Sequence, residues 1–240
     1  MKWWVKIKEA IVKSLSSEYT CDNCGREVFD YPSERLCASC NQKIVKNDGR
    51  VCEKCGRPMR ALGLCLPCKR EPSEFEKAAS PLVYHGEAAL LVNRFKQGDR
   101  YLFNYFSEEM AKVVDRLEIP CEPTLIPVPV TSKKRTLRGF NQAEELAKGL
   151  SALTGYPVDN GILFKVRDGE QKKLSAKERK EFIRGAFRVK KRKECREKVF
   201  LLVDDILTTG ATGSECARVL KLAGAKAVYL ITACALPQRE

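Results

Sequence analysis

Along the C-terminal two thirds of the chain, short runs of apolar residues alternate with segments in which apolar residues recur every three or four positions. The runs predict strands over residues 82–84, 124–130, 198–203 and 227–233. The three-to-four spacing predicts helices over residues 86–97, 101–117, 141–153 and 213–223. This order of elements is typical of an α/β fold with a doubly wound, mostly parallel sheet.

The first eighty residues lack this alternation. Residues 2–15 carry apolar side chains at helical spacing and predict a short amphipathic helix that packs on a core, with a membrane-surface or partner contact as the alternative. A linker is predicted near residues 71–81, where Pro72 and Pro81 stand at the ends. The predicted organisation is an N-terminal helix (1–20), a cysteine-rich segment (21–70) and an α/β domain (81–240).

Length and composition exclude several classes of protein. With 240 residues, 44% hydrophobic and 31% charged, the chain is neither wholly disordered nor collagen-like. No apolar run approaches the ~18 residues of a membrane span. Charges at Lys6, Lys8 and Glu9 interrupt the N-terminus, so it does not resemble a secretory signal. We therefore expect a cytoplasmic protein without a membrane span, in which paired cysteines are more often metal ligands than disulfides.

Eight of the twelve cysteines form CxxC pairs, arranged as two quartets with twelve and nine residues between the pairs. The quartets are Cys21, Cys24, Cys37 and Cys40, followed by Cys52, Cys55, Cys65 and Cys68. Each quartet fits a zinc ribbon in which four sulfurs close the coordination shell, so we predict two structural Zn²⁺ sites that supply folding energy. Disulfides and an iron site are the alternatives.

The formal net charge of +13 is concentrated in one segment. Residues 131–200 carry 20 basic and 9 acidic side chains, a net charge of +11. This segment is either a solvated basic surface or a binding site for a polyanion. Eight thiolates around two Zn²⁺ ions would lower the total to about +9, which leaves the surplus in the same segment.

Residues 199–215 have the pattern of a phosphate-binding loop. A buried strand leads into Asp204 and Asp205, then into small hydroxyl and glycine residues, and then into a helix. Gly210 and Gly213 allow backbone N–H groups to approach an anion, and the helix N-terminus favours one. The two acids are suited to accept hydrogen bonds from sugar hydroxyls, although one of them could merely cap the loop. The segment matches neither a P-loop nor the dinucleotide-binding fingerprint.

The stretch VFLLVDDILTTGATGS resembles the phosphoribosyl pyrophosphate (PRPP) motif of type I phosphoribosyltransferases, although many of those enzymes have Glu where this chain has Asp204. More narrowly, the whole chain resembles the ComF/ComFC family, which is associated with natural competence. The resemblance extends to RGFNQA at 138–143, to QKKLSAKERKEFIRGAF at 171–187, and to a Y-x-G…F-K segment formed by Tyr84, Gly86, Phe95 and Lys96.

The resemblance implies a type I phosphoribosyltransferase-like domain preceded by a double zinc ribbon. It implies binding of PRPP with Mg²⁺, and displacement of pyrophosphate by an unidentified acceptor. The ribose and phosphate would be bound by Asp204, Asp205, Thr208, Thr209, Gly210, Ala211 and Thr212. The pyrophosphate would be bound by Lys133, Lys134, Arg135 and Arg138, in a loop that follows the predicted strand over residues 124–130. A flexible loop would contribute Lys172, Lys173 and Arg179.

Two other functions stay open at the level of sequence. The chain could be a non-catalytic PRPP- or nucleotide-binding protein that contacts single-stranded DNA or a DNA-uptake helicase, or a regulator that senses PRPP. Base stacking would need aromatic side chains near the basic segment, and the candidates are Phe140, Phe164, Phe182 and Phe187. We expect these rings to pack in the core instead. His85, the single histidine, is expected to be structural.

Overall fold

The computed structural model of the protein describes residues 19–166 and 183–237. The predicted helix over residues 2–15 and the predicted flexible-loop residues Lys172, Lys173 and Arg179 lie outside the described residues. The chain divides into two compact units, residues 1–44 and 45–240. Each unit contains one of the two cysteine quartets.

The described part of the first unit, residues 19–44, is built around its cysteine quartet. The chain turns sharply after Cys21, where the amide of Gly25 donates to the Cys21 carbonyl at 3.0 Å. Gly25 has a φ of 75°, which glycine adopts without strain. A short helix, α1 (Ala38–Asn41), carries the last cysteine. The apolar residues buried around the quartet are few: Val28, Leu36 and Ile44.

The second unit is organised around a five-stranded parallel sheet. The strands described in this unit are, in chain order, β1 (Ala78–Ala79), β2 (Leu82–Val83), β3 (Thr124–Pro127), β4 (Leu163–Lys165), β5 (Phe187–Val189), β6 (Val199–Leu207) and β7 (Ala227–Ala235). Strands β1 and β2 pair with one side of β7, and β6 and then β3 follow on its other side. Strands β4 and β5 form a separate antiparallel ribbon.

Helices cover this sheet. Those described in the second unit are, in chain order, α2 (Leu66–Arg70), α3 (Gly86–Gln97), α4 (Phe103–Ala111), α5 (Ser132–Arg138), α6 (Gln142–Thr154), α7 (Arg192–Cys195) and α8 (Ala211–Leu222). Helices α4 and α6 pack together, whereas α8 contacts β6 and β7. Among the described residues, no helix is long and apolar enough to cross a membrane.

The connections between parallel strands run toward one edge of the sheet first and then toward the other edge. From β3 the chain passes through α6 to a parallel bridge between Val158 and Leu125 at the outer edge. It then returns through β6 and α8 to β7. Because parallel crossovers are right-handed, crossovers that run in opposite directions place α6 and α8 on opposite faces. The predicted fold class, a doubly wound parallel sheet with two cysteine-rich metal-binding groups, is confirmed.

The centre of the hydrophobic core is the first half of β6. Residues Val199, Phe200, Leu201, Leu202 and Val203 are each no more than 5% exposed. A parallel strand covered on both faces requires such a continuous apolar run. Burial of each large side chain contributes about 1.5–3 kcal/mol, so this run fixes the position of whatever follows it.

The structure differs from the sequence-based prediction in the segment after β3. This segment was predicted to be a loop, but residues 132–138 form helix α5. The side-chain oxygen of Thr131 accepts a hydrogen bond from the Lys134 amide at 3.4 Å, and Gly139 ends the helix with a φ of 77°. A threonine N-cap and a glycine after the last turn are the sequence signals that identify this helix.

Two other elements also differ from the prediction. The helix expected over residues 101–117 is shorter, because 3₁₀ turns at Arg100–Leu102 and Val114–Leu117 flank α4. Strand β6 continues to Leu207, so Asp204 and Asp205 lie within the strand rather than after it.

The second cysteine quartet is built into one edge of the sheet. The buried side-chain amide of Asn47 donates to the carbonyls of Gly56 at 2.8 Å and Ser80 at 3.0 Å. The amide of Ala78 in β1 donates to the carbonyl of Lys54 at 2.9 Å. This ribbon and strands β1 and β2 therefore form one hydrogen-bonded structure.

Candidate functional site

The predicted phosphate loop lies between the carboxyl end of β6 and the first turn of α8. Thr208 and Thr209 are exposed, and Gly210 holds a left-handed φ of 77°. The Thr209 hydroxyl accepts from the Ala211 amide at 3.3 Å, and the Gly210 carbonyl accepts from the Ser214 amide at 2.8 Å. No acidic residue lies in the first turn of α8. Hydroxyls, loop amides and a helix N-terminus thus meet at the edge where ligands of parallel sheets bind.

Gly213 has a different role from the one expected. It lies inside α8, which begins two residues earlier than predicted. A Cβ atom at this position would lie 2.6 Å from Leu230 Cδ2 in β7. Gly213 therefore allows α8 to pack closely on the sheet. Of the two glycines, only Gly210 lies in the turn where backbone N–H groups could approach an anion.

Two adjacent carboxylates precede the loop. The amide of Asp205 donates to Asp204 Oδ1 at 2.9 Å, and both residues are partly buried. Burial raises the pKa of Asp204 to about 7, and the negative charge of Asp205 adds to this rise. Near neutral pH, Asp204 is therefore close to the point at which it gains or loses a proton, as expected for like charges held together away from solvent.

Lys96 is the main cation beside this pair. Its Nζ lies 3.1 Å from Asp205 Oδ2, and the two side chains are only 23% and 16% exposed. The positive charges of Lys96 and Lys165 both act to lower the pKa of Asp204. In the sequence, Lys96 stands out only as part of the Y-x-G…F-K segment, and nothing in that segment predicts its place at the site.

The aromatic neighbours of Lys96 hold it in place. Phe95, the preceding residue in α3, is fully buried and lies against Phe106 and Phe140, with ring centroids 5.8 and 5.6 Å apart. Phe140 belongs to the RGFNQA segment. The motif residues Phe95 and Phe140 therefore pack together, which fixes the end of α3 that delivers Lys96 to Asp205.

The predicted pyrophosphate-binding residues all lie on α5. Arg135 pairs with both carboxylate oxygens of Glu144 at 3.0 and 3.1 Å, and Arg138 donates to Gln142 Oε1 at 2.8 Å. Lys133 is exposed and Lys134 is partly buried. Both arginines are thus held by the first turn of α6.

Asn141 of the RGFNQA segment attaches these helices to the sheet. Its side-chain amide donates to the Val128 carbonyl at 3.2 Å, and its side-chain oxygen accepts from the Ala143 amide at 3.1 Å. The amide of Val128 in turn donates to Val203 of β6 at 2.9 Å. Because β3 and β6 are parallel neighbours, α5 starts at the same sheet edge as the phosphate loop.

A buried ion pair lies one turn into α8. Glu215 is 7% exposed and accepts hydrogen bonds from Arg218 Nε, Arg218 Nη2 and the Gly185 amide, each at 2.7 Å. Burial alone would raise the pKa of Glu215, but these donors hold it below its usual value. Gly185 follows the predicted flexible loop, so Glu215 fixes α8 to the start of β5. The sequence carries no local signal for this contact, because Gly185 and Glu215 are 30 residues apart.

Both cysteine quartets have the geometry of tetrahedral zinc sites. Within each quartet the four Sγ atoms lie within 4.8 Å of one another. Cys24 and Cys37 in one quartet, and Cys55 and Cys65 in the other, have Sγ atoms 3.7 Å apart. Four ligands at the usual Zn–S distance of about 2.3 Å would be about 3.8 Å apart, so the residues present fit the ion.

Without a bound cation, buried sulfurs of both quartets would stay protonated. Burial raises the pKa of Cys40 and of Cys68 to about 12, and neighbouring thiols add to both shifts. Four thiolates therefore cannot crowd together unless a positive ion balances them. Backbone and side-chain N–H groups already point at the sulfurs, as the Cys65 amide does toward Cys52 Sγ at 3.3 Å. When Zn²⁺ is bound it supplies cross-linking within each ribbon, and no ligand position is left for catalysis.

No protein-family model matches the chain. Competence protein F of Haemophilus influenzae is 30% identical over 225 residues, which cover 88% of this chain and 95% of that protein. The chain belongs to the ComF family of competence proteins. Competence protein ComFC of Bacillus subtilis is 27% identical over 222 residues, covering 89% of this chain and 90% of that protein. The DNA utilization protein YhgH of Salmonella typhimurium is 30% identical over 208 residues, covering 83% and 89%.

Solved structures align only loosely with this ComF-family chain. Glutamine PRPP amidotransferase from Bacillus subtilis, complexed with ADP and GMP, aligns with a TM-score of 0.37 and 21% identity. The alignment covers 56% of this chain and 27% of that protein. The family prediction made from the sequence is confirmed by the curated relatives and by the two cysteine quartets.

We expect purified protein to contain about two zinc ions per chain, since two quartets fit the ion. Elemental analysis by plasma mass spectrometry measures this directly. Cys68→Ser should lose one ion, whereas Cys121→Ser, at an exposed cysteine outside both quartets, should lose none. Fewer than one zinc ion per chain would contradict the assignment, and stoichiometric iron would favour the alternative metal.

We expect Asp204→Asn to stabilise the protein, and more strongly at pH 8 than at pH 5. The raised pKa of Asp204 means that ionising it in the folded state opposes folding, and this loss of stability develops between its unfolded pKa of about 4 and its folded pKa of about 7. With allowance for partial solvent exposure, the gain above pH 7 is about 2 kcal/mol. Urea unfolding at the two pH values measures it, with Asp159→Asn as the control. An equal effect of Asp204→Asn at both pH values would show that ionisation of Asp204 does not destabilise the folded protein.

Proposed function

We propose that this ComF-family chain binds Mg·PRPP and displaces pyrophosphate from it with an unidentified acceptor, in the context of natural competence and DNA uptake. The observation that carries the proposal is the arrangement at the end of β6. There two carboxylates, one of them paired with Lys96, lie directly before an exposed threonine loop and the N-terminus of α8. The curated relatives named for competence supply the biological context.

In this proposal the two ends of the site recognise different parts of PRPP. The amides and hydroxyls of residues 208–212 would bind the 5′-phosphate, because a helix N-terminus and a glycine turn favour a compact anion. Asp204 and Asp205 would accept hydrogen bonds from the ribose hydroxyls. Lys96 would hold Asp205 in one orientation, so that ribose binding does not have to order a free carboxylate.

The chemistry would consist of separating charge at the anomeric carbon. The C–O bond to pyrophosphate breaks with its electron pair leaving on pyrophosphate, positive charge develops on the ribose, and a lone pair of the acceptor forms the new bond to the anomeric carbon. Mg²⁺ enters as part of the substrate and neutralises charge on the pyrophosphate. The Asp204–Asp205 pair lies where it would favour a cationic ribose. Arg135 and Arg138 would assist departure only after exchanging Glu144 and Gln142 for pyrophosphate oxygens.

We expect wild-type protein to bind PRPP with Mg²⁺, and Asp205→Asn to weaken that binding by at least tenfold, on the order of 1.4 kcal/mol. The substitution removes the charge that Lys96 holds and an acceptor for ribose. Isothermal titration calorimetry with and without Mg²⁺ measures this, and Asp159→Asn is the matched control because Asp159 pairs with Lys191 instead.

Absence of PRPP binding by wild-type protein at millimolar ligand would overturn the proposal. Release of pyrophosphate in the presence of a panel of nucleobases would separate an enzyme from a protein that only binds PRPP.

A specific observation favours the second candidate function, a non-catalytic protein that contacts single-stranded DNA. In the β4–β5 ribbon, Phe164 lies opposite Arg188, and Lys190 Nζ lies 5.1 Å from the Phe164 ring centroid. Val166 on the same face is 42% exposed. An aromatic ring flanked by cations on an exposed strand pair suits base stacking and phosphate contact.

The other aromatic candidates do not contribute to such a surface. Phe140 is 4% exposed and Phe187 is 2% exposed, as the core-packing interpretation expects, and Phe182 lies outside the described residues. Phe164 is only partly buried. The surface available for single strands therefore centres on Phe164, and contact with a DNA-uptake helicase stays a prediction.

If this second function holds, Phe164→Ala and Arg188→Glu should each weaken binding of a fluorescent oligothymidine by threefold or more. Phe164→Ala loses base stacking, which is worth about 1–3 kcal/mol per base, and Arg188→Glu loses a phosphate contact. Fluorescence anisotropy at 50 and 200 mM salt measures affinity and its salt dependence. Lys226→Glu, at an exposed lysine outside the ribbon, is the charge-matched control. Equal losses in Arg188→Glu and Lys226→Glu would indicate a diffuse charge effect and not a defined surface.

A further inference from the structure

The segment between the second cysteine quartet and β1 was predicted to be a linker, but it is bound closely to the sheet and to α8. The amide of Glu74 donates to Ser214 Oγ at 3.0 Å, in the first turn of α8. The amide of Glu76 donates to the Val228 carbonyl at 2.7 Å, and its carboxylate pairs with Lys221 at 2.6 Å. These contacts reach both ends of α8 and the adjoining strand β7.

Phe75 lies between these two attachments and packs beneath the phosphate loop. Its side chain is fully buried. A Cβ atom placed on Gly210 would lie 3.8 Å from Phe75 Cζ and 3.7 Å from Leu207 Cδ1. The ring therefore lies about one methyl group away from the turn whose amides would bind phosphate. Gly210 holds a left-handed conformation there, and close packing from below keeps such a turn in one arrangement.

The second quartet holds this segment at both ends. At its start, α2 carries Cys68, and the amide of Glu71 donates back to the Pro67 carbonyl at 2.9 Å. At its end, the amide of Ala78 donates to Lys54, a residue between two of the cysteines. All four cysteines are at most 5% exposed and belong to the same hydrophobic cluster as Phe75 and Leu207.

We infer that Phe75 is a positioning residue for the phosphate loop, and that the second cysteine ribbon sets the loop's affinity for phosphate by holding Phe75 in place. The inference rests on the proposed function only for the identity of the ligand. A ribbon without its ion would lose its cross-link, and the segment would lose both fixed ends. The loop would then have to be ordered by the ligand, which lowers affinity.

The first experiment compares Phe75→Leu with Leu150→Ala, a fully buried position in α6 away from the segment. Both should lower the urea midpoint. Only Phe75→Leu should weaken Mg·PRPP binding, by about tenfold, and only Phe75→Leu should speed hydrogen exchange of the amides of residues 208–212. Equal affinity and equal exchange in the two variants would overturn the inference.

The second experiment compares the two quartets. Cys68→Ser should release zinc and raise exchange in the phosphate loop, whereas Cys40→Ser in the first unit should release zinc without affecting the loop. Unchanged loop exchange in zinc-depleted Cys68→Ser would overturn the role of the ribbon. If Cys68→Ser does not fold, Phe75→Leu still tests the role of Phe75, and removal of zinc from the wild-type protein by a chelator tests the role of the ribbon. If wild-type protein fails to bind PRPP, the proposed function is wrong. The exchange measurements then test the structural coupling by themselves, and unchanged loop exchange in Phe75→Leu would refute it.

Discussion

Two adjacent carboxylates at the end of a buried strand are the electrostatic constraint on which the site depends. Asp204 and Asp205 sit where five apolar residues have just carried β6 through the middle of the core. Each carboxylate loses water there, and each repels the other, which is why the pKa of Asp204 rises to about 7. A site of this kind stores unfavourable energy in the absence of a ligand, and a cationic transition state or a set of sugar hydroxyls would relieve it.

Several contacts in the second unit offset the electrostatic cost of burying the two carboxylates. Lys96 reaches Asp205 from α3, and the buried contact of Phe95 with Phe140 keeps α3 in place. Phe140 and Asn141 in turn join α5 and α6 to the carboxyl end of β3. The short motifs Y-x-G…F-K and RGFNQA, which are 40 residues apart in the sequence, are therefore parts of a single support for the acid pair.

Sequence periodicity predicted most of the sheet and its covering helices, because the first half of β6 and most of β7 are buried on both faces and are therefore largely apolar. It could not predict the β4–β5 ribbon, whose three-residue strands are too short to show a period. The cysteine spacing predicted both metal groups, since the CxxC turn is a local feature. The ion pair of Lys96 with Asp205, and the hydrogen bond from the Gly185 amide to Glu215, depend on tertiary placement, which residue types alone do not specify.

The two cysteine quartets look alike in the sequence, but the structure gives them different surroundings. In the first, Cys24 is exposed and few apolar residues surround the sulfurs. In the second, all four cysteines are buried in the same core as the phosphate loop. An ion in the first group therefore stabilises mainly its own small unit, whereas an ion in the second group also stabilises part of the α/β sheet.

The basic segment likewise separates into parts with different physical roles. On α5, Arg135 and Arg138 are already engaged by Glu144 and Gln142, so their charges are balanced within the fold until a stronger acceptor displaces those partners. On the β4–β5 ribbon, Arg188 and Lys190 are exposed beside an aromatic ring. Within the described part of residues 131–200, basic side chains therefore form at least two separate groups, one near the sheet edge that carries the acid pair and one facing solvent. Pyrophosphate chemistry and single-strand binding would therefore draw on different basic residues of the same segment.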